Sequence, residues 1–205
     1  MIEEKLETAF DSLVPGVPKA IYWREYPAEF KAEEIRAFET ARSAEAKSAI
    51  SQRLRDLGIA TPLVSFSHSS HDGKLGIIGV GVGSESEVAG IGVDLEAPGR
   101  QLSPELAQRL IHESEAKFDS ISPLGFWVIK EAAFKSLPKN TGALVSQFVV
   151  EKFNQKSRIG EMITGRASFR FQLIETKNWL IALVVCINPG STGSFGGPGG
   201  SVGRN

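Results

Sequence analysis

Asp94 and Glu96 stand two residues apart in the run GIGVDLE at 90–96. In an extended strand, residues two apart leave the same face. Both acids therefore share one side, while Ile91, Val93 and Leu95 take the other. Two neighbouring carboxylates repel unless a cation neutralises them. Oxygen ligands of this kind suit Mg²⁺, which keeps some waters and completes its shell from substrate phosphates. Gly90 and Gly92, beside the acids, are expected to leave room for a bulky ligand. The plain alternative is an edge strand carrying two solvated acids.

A second group of chemical residues has helical spacing. Trp127, Glu131 and Lys135 recur at four-residue intervals in FWVIKEAAFKS, one face of a helix, with Lys130 one position around. Glu131 then offers a third metal carboxylate, flanked by two ammonium groups for phosphate oxygens. A Glu-to-Lys pair at this spacing also simply supports a helix, by about 0.2–0.5 kcal/mol. Upstream, His68 closes a strand between Ser67 and Ser69. It reads either as a structural hydrogen-bonding group or, helped by its serines, as a donor to a phosphate. His71 falls in a turn and is expected in solvent. His112 falls at a helix end, where its charge would complement the helix dipole.

The elements that must position these groups follow from periodicity. Residues 3–13 place Leu6, Phe10 and Leu13 at helical spacing and stop before Pro15. Residues 17–26 read as a strand. Residues 30–57 read as a helix whose apolar stripe is Ile35, Phe38, Ile50, Leu54 and Leu57, closed by Gly58. Its scattered basic residues read as a solvated face. Strands follow at 63–68, 74–82 and 90–96, the first two joined by a turn at His71-Asp72-Gly73. Ser103-Pro104-Glu105 opens a helix running to about 111. A shorter helix is expected around 113–119, then one over 123–137 with Phe126, Ile129, Ala133, Phe134 and Leu137 as its apolar side. Strands near 145–153, 165–174 and 178–187 complete the chain. Each half thus reads as helix followed by a small sheet, an α+β chain of two similar lobes without a residue-level repeat.

Composition bounds the function. The 205 residues carry 41% apolar and 23% charged side chains and a net charge of −1, a globular balance. It argues against bulk nucleic-acid binding, which needs a basic surface, and leaves room for a local basic pocket. The single cysteine, Cys186, excludes an intramolecular disulfide and a multi-cysteine zinc site and fits a cytoplasmic setting. MIEEKLETAF is not a secretion signal, and no apolar run approaches a membrane span. Residues 189–205 are Gly/Ser-rich, of the kind used as an artificial linker, and are expected to stay disordered.

Three segments in order, Ser67-His68-Ser69, then the strand 92–96, then the helix 127–135, resemble the 4′-phosphopantetheinyl transferase superfamily in its surfactin-synthetase-like (Sfp-type), two-lobe class. That family's signature is a G-(V/I)-D-x-E strand followed by a W-x-x-K-E-A/S-x-x-K helix, and every diagnostic position is filled here. Glu115 resembles the family's acidic position between the motifs. The resemblance implies a pseudo-twofold α+β fold, with lobes at 1–98 and 99–188 and coenzyme A in the cleft between them. It implies transfer of phosphopantetheine from coenzyme A to a serine of an acyl or peptidyl carrier protein, releasing 3′,5′-ADP. Asp94, Glu96 and Glu131 would hold Mg²⁺, or Mn²⁺ in its place. Glu131 or a water on the metal would take the serine proton. Lys135 would bind phosphate and stabilise the transition state, with Lys130 as a weaker candidate, and His68 with Ser67 would reach a coenzyme A phosphate. Arg42-Ser43 resembles the family's pair against the 3′-phosphate, with Lys31 and Arg36 assisting. The sequence departs from the family at Ala60-Thr61-Pro62, where a G-x-P element with a basic residue is common. A monomer with no nucleic-acid or membrane partner is expected. A non-catalytic carrier- or coenzyme-binding module and a metal-dependent nucleotide hydrolase are the competing classes.

Overall fold

A computed structural model describes residues 1–27, 32–84, 87–137, 142–165 and 167–188, with the side chains of 32–39 excepted. Lys31, the Arg36, Ile35 and Phe38 side chains and the tail at 189–205 lie outside the described residues. Within them the chain runs α1 (Ile2–Leu13), β1 (Lys19–Pro27), α2 (Ala32–Asp56), β2 (Pro62–His71), β3 (Lys74–Gly83), β4 (Val88–Glu96), α3 (Pro104–Leu110), α4 (Pro123–Ser136), β5 (Val149–Asn154), β6 (Ile159–Thr164), β7 (Ala167–Glu175) and β8 (Leu180–Ile187).

The strands form two antiparallel sheets, one in the order β1-β3-β2 and one in the order β4-β8-β7-β6-β5. The first is nucleated by a two-residue hairpin. Asp72 and Gly73 both take positive φ, 47° and 69°, which matches the right-handed twist of the flanking strands. The run KLGIIGVGVG of β3 is apolar on both faces because both are covered. Leu75 and Ile77 meet Ala46, Ile50 and Leu54 of α2, while Ile78, Val80 and Val82 meet α1 and the inner face of the second sheet. The other face of the second sheet is covered by α4 through Phe126, Val128, Ile129, Ala132 and Ala133. The order of layers is thus α2, small sheet, large sheet, α4, with α1 packed into the central core.

Four expectations are corrected. β4, grouped by sequence with the strands preceding it, pairs with β8, Asp94 lying opposite Ala182. Both edges of β3 are already taken by β1 and β2, so β4 finds backbone partners in the second half. The short helix at 113–119 is a single 3₁₀ turn, Glu113–Glu115, because the Glu115 side chain turns inward and accepts from the backbone N–H of His112. His112 accordingly caps the start of that turn, its Nδ1 accepting from Ser114 N–H at 3.3 Å. β6 went unread, since Gly160 breaks its apolar run. That glycine lies under Phe171, where a Cβ would collide with the ring. Finally, Leu57 is 51% exposed past the end of α2, outside the apolar stripe expected of it, whereas Phe134 and Leu137 pack half-buried against the α4 core as expected.

The two sheets also meet edge to edge. β2 lies beside β4 without a backbone ladder, and alternate serines of β2 bridge the gap. Ser65 Oγ accepts from Val93 N–H at 3.0 Å, satisfying an edge donor that would otherwise be buried unpaired.

Candidate active site

The alternation read from the sequence holds. Ile91, Val93 and Leu95 enter the central core, and Asp94 and Glu96 leave the opposite face, toward α4. Gly90 and Gly92 share that face, and their use differs from the expectation. A Cβ at Gly90 would collide with the Ser136 carbonyl oxygen, and one at Gly92 with that of Ala132. The glycines admit the backbone of α4, not a ligand, and so bring the helix against the acid-bearing strand.

Ser122 caps α4, accepting from Gly125 N–H at 3.0 Å, with Pro123 in the first turn. From this fixed start, Trp127, Glu131 and Lys135 face β4. Lys135 Nζ donates to Asp94 Oδ1 at 2.6 Å and to Ser67 Oγ at 3.1 Å. Ser67 Oγ donates to the same Asp94 oxygen at 2.8 Å. Asp94 is 5% exposed, and its second oxygen, Oδ2, is buried without a hydrogen-bond partner. Glu96 accepts from Ser69 Oγ at 3.1 Å and is paired with Arg100, whose guanidinium lies over the Trp127 ring.

The three carboxylates sense one another. Burial holds Glu131 above the ordinary carboxylate range, and the charges of Asp94 and Glu96 push it further, against Lys135 and Arg100. Burial likewise raises Glu96, with Asp94 adding to the shift and Arg100 and hydrogen bonds from Ser69 and Trp127 opposing it. Among the described residues no three His, Cys, Asp or Glu side chains stand together as a finished metal site. The donor set nevertheless fits a hard cation: oxygen ligands only, mutual repulsion, and one buried carboxylate oxygen with nothing bound to it.

The other candidates separate. Lys130 is fully buried and points away from the carboxylates. Its Nζ donates to Glu115 Oε2 and to the Leu110 carbonyl, each at 2.6 Å. Burial depresses its pKa, with Glu115 opposing. This corrects its assignment to coenzyme A, because no phosphate can reach it. Glu115 is equally enclosed, and its Oε1 accepts from Val150 N–H at 2.6 Å. His68 is exposed on the β2 face opposite Ser67 and Ser69, and lines a polar cleft of about 470 Å³ with Ser69, His71, Glu96 and Arg100. Arg42 donates to Glu45 at 2.7 Å and lies over the Tyr26 ring, with Ser43 half-buried beside it. Tyr26 belongs to β1, the far edge of the small sheet and two strand spacings from β2, about 10 Å. Arg100 was missed by the sequence reading. Its signal was a basic residue four positions after Glu96, across the Pro98-Gly99 turn.

No helix among the described residues is long and apolar enough to cross a membrane. A search of curated proteins finds no match to the chain. Residues 90–184, just under half of the chain, match the family model of the 4′-phosphopantetheinyl transferase superfamily, a stretch that begins at the glycines of β4 and takes in the whole of α4.

Proposed function

We propose that this protein is a 4′-phosphopantetheinyl transferase of the two-lobe, surfactin-synthetase-like class. It moves the phosphopantetheine arm of coenzyme A onto a serine of an acyl or peptidyl carrier protein and releases 3′,5′-ADP. The observation that carries the reading is the meeting of Asp94, Glu96, Glu131 and Lys135 between one strand and one helix, inside the stretch that resembles the family. The last strands of the two halves, β4 and β8, pair antiparallel, which supports lobes divided near residue 98.

The reaction joins the serine oxygen to the β-phosphorus of coenzyme A. As that bond forms, the bond from the β-phosphorus to the bridging oxygen breaks, and 3′,5′-ADP leaves with the electron pair. The serine proton needs an acceptor. Glu131 suits the task because burial and its acidic neighbours raise its basicity. Asp94, Glu96 and Glu131 would hold Mg²⁺ or Mn²⁺, which neutralises pyrophosphate charge when bound. Lys135 stands at the same place and adds positive charge for a phosphate oxygen. His68 and Arg100 on the cleft wall face the region where the coenzyme phosphates would lie. Arg42 with Ser43 is assigned the 3′-phosphate on resemblance alone, and Arg42 must then release Glu45. Lys130 has no part in the chemistry. A monomer working in the cytoplasm belongs to the same reading.

Incubation with coenzyme A, Mg²⁺ and an apo carrier, followed by intact-mass measurement, tests the proposal. The carrier should gain one phosphopantetheine mass. Coenzyme A breakdown without that gain would mean hydrolysis, and no change at all would mean a binding module.

A further inference from the structure

Alternate residues of β2 reach across the seam between the two sheets and touch β4 at three successive places. Ser65 accepts from the backbone N–H of Val93, Ser67 donates to Asp94 Oδ1, and Ser69 donates to Glu96 Oε2. The first holds main chain. The other two hold the two acids of the proposed metal site, one serine each. Ser67 is buried, at 8% exposure, and its hydroxyl donates its one proton to Asp94 while accepting from Lys135.

The consequence lies in which oxygen is engaged. Ser67 and Lys135 both converge on Oδ1 of Asp94, and Oδ2 is left buried and bare. Two donors on one oxygen fix the rotation of a carboxylate about its χ2, a broad torsion otherwise. The free oxygen then has a set direction. Resting on the site proposed above, we infer that Ser67 and Ser69 are positioning residues that orient Asp94 and Glu96 for a divalent cation, and that the Ser-His-Ser element serves two masters. Its serines face the carboxylates, while His68 between them leaves the other side of the strand, exposed on the wall of a cleft that Ser69 and Glu96 also line. This differs from the role the resemblance gave Ser67, contact with a coenzyme phosphate. Ser67 acts through Asp94 and touches no substrate.

Outer-shell partners of metal ligands are typically worth about 10–100-fold in metal affinity. The test is Mn²⁺ binding to the isolated full chain, read by loss of the free-ion EPR signal, for wild type and for Ser65→Ala, Ser67→Ala and Ser69→Ala. Ser67→Ala should weaken Mn²⁺ binding about 10-fold or more, and Ser69→Ala should weaken it less, since Arg100 also holds Glu96. Ser65→Ala should lower the melting temperature with Mn²⁺ affinity unchanged. At saturating Mg²⁺, coenzyme A titrated calorimetrically should bind wild type and Ser67→Ala alike. If Ser67→Ala fails to fold, Ser69→Ala decides by its Mn²⁺ affinity. Unchanged Mn²⁺ binding in the folded Ser67 and Ser69 variants overturns the inference alone, as does a coenzyme A affinity that falls with Mn²⁺ binding intact. A wild-type chain that binds no Mn²⁺ overturns the site and the inference together.

Discussion

Helix α4 offers a lysine to each of two carboxylates, and the two pairs differ in what their oxygens have left to bind. Lys130 and Glu115 are both fully buried. Glu115 accepts from Lys130, from His112 N–H and from Val150 N–H, and Lys130 donates again to the Leu110 carbonyl. Lys135 and Asp94 lie five and twenty-one residues away in sequence from those partners, and Lys135 keeps a side chain 30% exposed while Asp94 keeps one oxygen without a hydrogen bond. A saturated buried pair holds the fold and offers nothing to a ligand. A buried acceptor left bare costs about 1–3 kcal/mol, and the neighbouring carboxylates add repulsion. The proposed chemistry therefore falls to the incomplete pair, although both look alike in sequence as lysine near acid.

Breaking each pair should separate activity from stability. The largest effect is expected for Asp94→Asn, which keeps the shape and removes the charge. Transfer to an apo carrier should fall by orders of magnitude, because the proposed cation loses a buried ligand. The variant should stay folded by circular dichroism. Near-normal turnover would show that Asp94 is merely Lys135's structural partner.

The mirror experiment is Lys130→Met. It leaves Glu115 charged, buried and short of its cation, a defect worth about 3–5 kcal/mol. Urea unfolding should show that loss, and whatever remains folded should transfer phosphopantetheine normally. Adding Glu115→Leu should recover part of the stability, since an apolar pair of similar volume often replaces a buried ion pair without loss. An additive double variant would contradict the closed-pair description.

A smaller effect on stability is expected at Glu131. Its pKa is raised in the folded chain by burial and by Asp94 and Glu96. An acid with a raised folded pKa contributes stability that is fully present below its ordinary pKa and is lost as pH rises through the folded value. In EDTA, this group should therefore make the wild type gain stability as pH falls from neutrality toward the ordinary carboxylate range. Glu131→Gln should remove that part of the slope and raise stability at pH 7, while abolishing transfer in Mg²⁺. Melting curves in EDTA across that range check the sign. A slope unchanged by the substitution would remove Glu131 from the acidic cluster.

The members of the open pair were legible in the sequence, whereas neither the contact that joins them across 41 residues nor the closed pair was, for a physical reason. Asp94 with Glu96, and Glu131 with Lys135, are fixed by the periods of a strand and a helix, which are local rules. So were the hairpin at Asp72-Gly73 and the capped start of α3. The partner of Lys130 depends on where a loop 15 residues upstream returns, and no local period encodes that. The same distinction covers Gly90 and Gly92. Their spacing was visible, but whether a ligand or a helix fills the space is decided by the packing of α4. It covers β4 too, whose strand character was readable and whose partner, β8, lies some 90 residues on. The alternative that joins the serines of β2 to His68 at a phosphate is divided by strand alternation itself, since Ser67 and Ser69 must face away from His68.

The smallest expected effect concerns Cys186, a reporter inside the core that α4 closes. The thiol is 3% exposed, on β8, packed with the α4 residues of that core, and burial pushes its pKa up to about 11. A thiol in that state is both shielded and protonated at neutral pH, and the thiolate is the reactive form. Ellman's reagent should therefore leave the native chain nearly unlabelled and react fully in denaturant. Asp94→Asn and saturating Mg²⁺ should change the native rate little, because they act at the open pair, four residues along β4 from Gly90, the register partner of Cys186. Lys130→Met should speed labelling, because opening the closed core exposes the sulfur and reaction then follows the population of the open form. If Asp94→Asn and Lys130→Met speed labelling equally, the two pairs are coupled through α4 into one unit, and the division between a structural pair and a chemical pair fails.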